Sequence, residues 1–292
     1  AGLVEAMAGG DRKLFIQSLV ATPEICKQYE DEGFPCFEDP SRAVATMAAL
    51  MHFGMAFQKG RAQTPDVPEL PPLPEGAIGE KQAKEILAGF GLPVVEDTLA
   101  TTAEEAIEAA RKAGGPVALK IASPDILHKT EVGGVALGLE GEDEVRMAFN
   151  EMMTRVRTAK PDAKIDGAIV SPMIEDGVDC ILGSKLDPVF GPIVMFGLGG
   201  IFTEIMGDVS LRRAPVSEAT ALEMIDELKG RALFEGARGA KPVDKARIAK
   251  AISQLSIFAA AHAGVADSIE MNPLRVLEDR CVALDALIVK RS

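Results

Sequence analysis

Near the C-terminus, three oxygen-bearing side chains are spaced to meet on one face of a strand pair. They are Glu270 and Asn272 in SIEMNPLRV and Asp285 in CVALDALIV. Residues two apart in a strand share a face, so Glu270 and Asn272 point the same way. A two-residue turn at Glu278–Asp279 sets a register with Asn272 directly opposite Asp285 and Glu270 diagonal to them. Hard cations such as Mg²⁺ take oxygen ligands, one or two from protein and the rest from phosphate and water. The competing reading makes Asn272 and Pro273 a turn and leaves Asp285 exposed. Pro273 also argues for an edge or irregular position.

Lys120 lies in the apolar run VALKIAS. A lysine within a buried strand is costly unless it is paired or faces a cleft. One that reaches a phosphate removes that cost as a point charge. The alternative is an edge lysine turning its amine to water. His128 sits in SPDILHKTEVGG, between a Pro-Asp pair and a Gly pair. A loop histidine can serve as acid, base, nucleophile or phosphate carrier, or be an ordinary surface residue. His52 and His262 lie in apolar helical stretches and read as packing or capping residues.

The stretch FGLGGIFTEIMGD holds Gly197, Gly199 and Gly200, which free backbone amides to turn toward an anion. Its glycine spacing is not that of a dinucleotide fingerprint. Glu204 and Asp208 are four apart and share one face if the segment is helical. Arg212 and Arg213 follow, placed to balance phosphate or those carboxylates.

The elements that must position these residues alternate between strand and helix, an α/β pattern. Residues 1–59 read as strand (13–20), helix (23–33), the short strand FPCF, and a long helix capped by Asp39 or Ser41. Two parallel strands make a poor sheet, so this unit is expected to close a domain that begins upstream. Residues 60–76 carry five prolines within positions 65–74 and read as a stiff, unpacked connector. From residue 77 the pattern gives helix 79–91, strand 92–100, a helix to 114, and the strands PVALKIAS and VALGLEG. A helix over 142–159 then precedes the strands DGAIVSPMI, VDCILGSKLD and GPIVMFG. Helices around 217–228 and 242–263 lead to the final hairpin.

Bulk properties exclude several classes. A net charge of −13 opposes nonspecific nucleic-acid binding, since a phosphate backbone would be repelled. No apolar run is long enough to span a bilayer. The four cysteines, Cys26, Cys36, Cys180 and Cys281, have no metal-ligand spacing and read as reduced thiols of a cytoplasmic protein.

Taken together, these segments resemble the ATP-grasp part of the ADP-forming acyl-CoA synthetases, relatives of succinyl-CoA synthetase. The resemblance rests on VALKIASPDILHKTEVGGVALGL, on SPMI with GSKLDPVFGPIVMFGLGGIFTEIMGDVSLRRAP, and on IEMNPLRV with VALDALIV. Residues 1–59 are similar to the closing βαβα portion of the flavodoxin-like ligase domain of the same family. It implies an ATP-grasp fold of two α+β subdomains, at 77–172 and 173–292.

The resemblance further implies a staged, reversible reaction. Acyl-CoA and phosphate give an acyl phosphate, and the phosphoryl group passes to an enzyme histidine and then to ADP. By position, Lys120 would hold ATP or ADP phosphates, and the backbone of Met173 and Ile174 would meet adenine. Asn272 and Asp285 would hold Mg²⁺, with Glu270 beside the phosphohistidine. The glycine turn, Glu204 and Asp208 would line the transfer site, and His128 matches a second, mobile phosphate carrier. Asp179 stands where relatives usually carry Glu and belongs to the nucleotide site. The CoA-binding domain and the principal phosphohistidine are expected upstream, in the same natural chain or a separate subunit. Partners are then those domains and a small carboxylic acid, within an oligomer. The alternative is a non-catalytic nucleotide- or CoA-sensing module of a protein acyltransferase. That reading is disfavoured because degenerate copies tend to lose the histidine and metal ligands retained here.

Overall fold

The computed structural model describes residues 15–59, 63–126, 129–174, 176–200, 207–236 and 241–291. The chain divides into two compact units, Ala1–Ala62 and Gln63–Ser292.

In the first unit, strands β1 (Gln17–Ser18) and β2 (Cys36–Phe37) pair in parallel, and helices α1 (Pro23–Asp31) and α2 (Pro40–Lys59) follow them. The parallel pairing is the one expected of a βαβα alternation. Asp39 is the cap of α2, because its carboxylate accepts the Ser41 N–H at 2.7 Å. His52 is exposed on α2 rather than in a core, its ring edge-on to that of Phe53. The helix carries apolar residues on all sides, and Val44, Met51, Phe53 and Phe57 face outward with it.

The second unit holds two antiparallel sheets. The first contains β3 (Thr98–Ala100), β4 (Val117–Ala122), β5 (Val135–Leu139) and β6 (Gly167–Pro172), in the order β3-β6-β4-β5. Helices α4 (Ala103–Ala113) and α5 (Gly141–Ala159) pack on it. The start of α4 is fixed by Thr102, whose hydroxyl accepts the Glu105 N–H at 3.2 Å. Gly114, at φ 73°, ends it in the left-handed conformation. Val117, Leu119 and Ile121 of β4 meet Val145, Phe149 and Met152 of α5 in one buried core.

The second sheet comprises β7 (Val178–Asp187), β8 (Gly191–Leu198), β9 (Val209–Arg213), β10 (Ala266–Val276), β11 (Cys281–Ala283) and β12 (Ala286–Lys290). Its order is β11-β10-β7-β8-β9, with β12 also paired to β10. Helices α3 (Glu80–Gly89), α6 (Glu218–Asp226) and α7 (Lys245–Ala261) contribute to its core, with Phe196, Phe234, Ile252 and Phe258 at the centre. Strand β9 escapes the sequence reading, because VSLRR offers two arginines and only two large apolar residues.

Two expected boundaries shift. Ile78, Ala83, Leu87 and Leu92 bury in the second core and not in the first. Helix α3 thus belongs with residues 178–288, although 77–172 reads as one subdomain along the chain. The proline-rich stretch is also packed: Leu70 and Leu73 join that core, and Lys290 Nζ donates to the Pro74 carbonyl at 2.7 Å. His262 holds its ring against the carbonyls of Phe258 at 3.0 Å and Pro71 at 3.2 Å, so it packs and caps as read. Stiff proline segments dock when apolar residues between them find a core.

Candidate functional site

The C-terminal hairpin adopts the expected register. Leu274 pairs with Ala283 and Val276 with Cys281; beyond the break, Met271 pairs with Ala286 and Glu270 with Leu287. Between these ladders the Asn272 N–H donates to the Asp285 carbonyl at 3.2 Å, and the Leu284 N–H donates to the Pro273 carbonyl at 2.9 Å. The β10–β7 ladder breaks between Met271 and Leu274, so Pro273 marks the irregular position its type demands. Asn272 and Glu270 share a face, the Asn272 Nδ2 donating to Glu270 Oε1 at 2.9 Å. That contact leaves the Asn272 Oδ1 for another donor or a cation.

Lys120 comes from the other sheet. It lies on β4, between β5 and β6, which removes the edge-lysine reading. Its Nζ donates to the Leu284 carbonyl at 2.8 Å and lies 3.5 Å from Asp285 Oδ2. The lysine of one sheet and the Asp285 carboxylate beside the other therefore meet at the β11–β12 junction.

Behind Lys120 stands a buried ionic cluster. Glu80, on the first turn of α3, holds Lys120 at 2.9 Å and Lys84 at 3.0 Å on Oε1, and Lys129 at 2.8 Å on Oε2. Lys84 also reaches Asp97 Oδ2 and the Leu284 carbonyl, each at 2.7 Å. Asp97 Oδ1 in turn accepts the Ser171 hydroxyl at 2.6 Å. Burial alone would raise the Glu80 pKa, but the fields of Lys120, Lys84 and Lys129 override it and hold the group at about 2. For Lys120, burial pulls the pKa down and Glu80 and Asp285 more than restore it, so the net direction is up. Asp285 is displaced upward, chiefly by burial; Glu80 adds to the rise while Lys120 opposes it.

These donors fit a hard cation bound with a phosphate. Asn272 and Asp285 offer two oxygens, and Glu270 a third beside them. Among the described residues no group of three His, Cys, Asp or Glu is arranged to hold a metal. Mg²⁺ needs only one or two protein oxygens when phosphate and water complete its shell.

Other expected residues are placed differently. Asp208 is buried, and its two oxygens accept the amides of Lys229 at 2.8 Å and Gly230 at 2.9 Å. Its contacts tie the loop after α6 to the start of β9; they are not those of a transfer-site acid. Gly197 lies inside β8, between Ile181 and Val209. A Cβ there would stand 2.7 Å from the Asp208 carbonyl, so close strand approach demands glycine. The Gly199 N–H is committed to the Asp179 carbonyl at 2.7 Å, which leaves Gly200, at φ 62°, as the glycine of the three that turns left-handed. Arg212 pairs with Glu227, and Arg213 is exposed. His128 and Glu204 lie outside the described residues.

At the junction between the sheets, the Met173 N–H donates to the Pro116 carbonyl at 2.9 Å. The Ile174 carbonyl accepts Arg275 Nη1 at 2.6 Å. Asp179 faces Arg275 across the β7–β10 ladder, and Nε lies 2.6 Å from its Oδ1. The shorter carboxylate thus serves a guanidinium that also grips the Ile174 carbonyl.

Glu80, Lys84, Asp97 and Lys129 escape the sequence reading. Glu80 and Lys84 are four apart on an amphipathic helix, a spacing that usually marks a solvated ion pair. The one usable signal is that Glu80 and Lys84 share the turn of α3 that carries the apolar Ala83.

Comparison with known proteins places this geometry in a family. The family model described as ATP-grasp domain matches residues 74–289. Acetate–CoA ligase [ADP-forming] I subunit beta of Pyrococcus furiosus is 43% identical over 72% of this chain and 90% of that subunit. The 4-hydroxybutyrate–CoA ligase [ADP-forming] of Nitrosopumilus maritimus is 32% identical over 99% of this chain, which spans 43% of that enzyme. Among solved structures, the dinucleotide forming acetyl-coenzyme A synthetase 1 of Ca. Korarchaeum cryptofilum, in complex with coenzyme A, Ca-AMPCP and HgCl+, superposes with a TM-score of 0.71. The two are 37% identical, over 82% of this chain and 98% of that one. The chain belongs to the ATP-grasp family, as the ATP-grasp, beta-subunit-like part of the ADP-forming acyl-CoA ligases.

Proposed function

We propose that this chain binds ATP or ADP with Mg²⁺ and carries the phosphoryl-transfer half of an acid–CoA ligase reaction. The overall conversion is acid, CoA and ATP to acyl-CoA, ADP and phosphate, and it is reversible. The observation that carries this reading is the 3.5 Å approach of Lys120 to Asp285, one from each sheet, beside Asn272 and Glu270. A cation for phosphate and a carboxylate for a metal then stand side by side.

In the acyl-CoA-consuming direction, a phosphate oxygen attacks the acyl carbon, the C–S bond breaks and the CoA thiol leaves. This step belongs to the CoA-binding and ligase partner domains, which also take the small carboxylic acid. A histidine nitrogen then attacks phosphorus and releases the carboxylate. An oxygen of the ADP terminal phosphate next attacks the same phosphorus, the P–N bond breaks, and ATP forms with the histidine restored. His128 is our candidate for a second, mobile carrier, its nitrogen taking the phosphoryl group from the upstream phosphohistidine as that P–N bond breaks, with Glu270 steadying the phosphorylated imidazole. Lys120 would hold the nucleotide phosphates, and the backbone at Met173 and Ile174 would border adenine, with Asp179 and Gly200 at the rim. Asn272 and Asp285 would hold Mg²⁺, which neutralises phosphate charge when bound.

No helix among the described residues is long and apolar enough to cross a membrane. The four cysteines are unpaired, which supports a reducing, cytoplasmic setting. Calorimetric titration of ADP and ATP with and without Mg²⁺ tests the proposal. The wild-type chain should bind both more tightly with the metal, and Asp285→Ala should lose that metal-dependent gain. Absence of nucleotide binding by the wild type, or an unchanged metal dependence in Asp285→Ala, would refute it.

A further inference from the structure

Lys129 opens a short 3₁₀ turn, Lys129–Val132, and takes one oxygen of the buried Glu80 carboxylate while Lys120 takes the other. Two ammoniums from different elements are thereby held side by side by a single carboxylate. Their side chains are 15% and 13% exposed, whereas Lys84, the third cation on Glu80, is 3% exposed. Lys84 is spent on Asp97 and the Leu284 carbonyl. Lys120 and Lys129 are therefore the cations of the cluster that keep some access to solvent.

The backbone fixes Lys129 in this place. Its carbonyl accepts the Gly134 N–H at 2.8 Å, and the Gly134 carbonyl accepts the Ile121 N–H, also at 2.8 Å. Gly133 takes φ 63°, and a Cβ on Gly134 would stand 2.6 Å from the Ile121 side chain. The glycine pair of HKTEVGG thus lets the turn close against β4, one residue from Lys120.

We propose that Lys129 is a second phosphate-binding cation, held beside Lys120 by Glu80 to receive the terminal phosphoryl group of an adenine nucleotide. This rests on the nucleotide-site reading above. Two lysines fixed on one counterion lose little side-chain freedom when a phosphate arrives between them. Glu80, which is shielded from solvent, acts as a positioning residue for both.

The test compares ligands that differ in phosphate. With saturating Mg²⁺, Lys129→Met should weaken ADP binding about tenfold, the order expected for one hydrogen bond between charged groups. Adenosine binding should not change, and Lys129→Arg should recover most of the ADP affinity. In the unmodified chain, ADP but not adenosine should shield Lys129 from an amine-acylating reagent, read by peptide mass spectrometry. Parallel loss of ADP and adenosine binding would make Lys129 merely structural, and undiminished ADP binding or unshielded Lys129 would overturn the assignment. A wild-type chain that binds neither ligand would instead overturn the nucleotide site itself.

Discussion

Lys84 and Lys120 donate to the same backbone oxygen, that of Leu284, at 2.7 and 2.8 Å. One lysine comes from a helix that packs in the second core, the other from a strand of the first. The carbonyl that unites them lies where β11 gives way to β12, one residue before Asp285. A kink in a hairpin thereby gathers cations from two directions beside the oxygens proposed for a metal. Around it, Glu80, Asp97 and Asp285 face Lys84, Lys120 and Lys129, so the buried charges balance.

That balance makes stability depend on acid. Glu80 is held at about 2 in the folded chain against an ordinary value of 4.5. A depressed carboxylate contributes fully above its unfolded value and loses that contribution as pH falls toward the folded one. The window is therefore roughly pH 4.5 down to 2, and the displacement is worth on the order of 3 kcal/mol. Urea denaturation across that range should show the wild type losing stability steadily. Glu80→Gln should start lower at pH 7 and fall less through the window; equal slopes would refute the ionic role of Glu80.

Asp208 makes a different kind of prediction. Its buried carboxylate accepts two backbone amides, at Lys229 and Gly230. Asp208→Ala leaves both donors unpaired, at a cost of about 1–3 kcal/mol each, less what water recovers. Thermal melting should show a clear drop in midpoint, while a residue acting only in phosphoryl transfer would leave the melt unmoved.

What could be read in advance follows from the range of each interaction. The hairpin register was legible because side-chain alternation and a two-residue turn are local rules. They placed Asn272 opposite Asp285 without any tertiary knowledge. The parallel pairing of β1 and β2 was legible from alternation for the same reason. Glu80 and Lys84 were not, because their partners are remote: the Leu284 carbonyl lies 200 residues beyond Lys84. Spacing alone gives a buried network the look of a solvated helix face. The glycines misled for a related cause. FGLGG signals backbone freedom, but Gly197 and Gly199 use their lack of a side chain to let β8 approach Asp208 and Asp179, contacts that only the folded sheet reveals.

The two lysines on Leu284 should separate stability from binding. Lys84 is 3% exposed and neutralises both Glu80 and Asp97, themselves 3% exposed. Lys84→Met strips a cation from two buried carboxylates, and breaking such a pair costs about 3–5 kcal/mol. Lys120 is more open, and Glu80 keeps Lys84 and Lys129 without it. Lys120→Met should therefore cost less in denaturant midpoint yet weaken ADP binding by about tenfold or more. Measuring both quantities on both variants decides the matter. The assignment of Lys84 to the scaffold and Lys120 to the ligand fails if the two substitutions lower stability equally, or if only Lys84→Met reduces nucleotide affinity at a temperature where both variants remain folded.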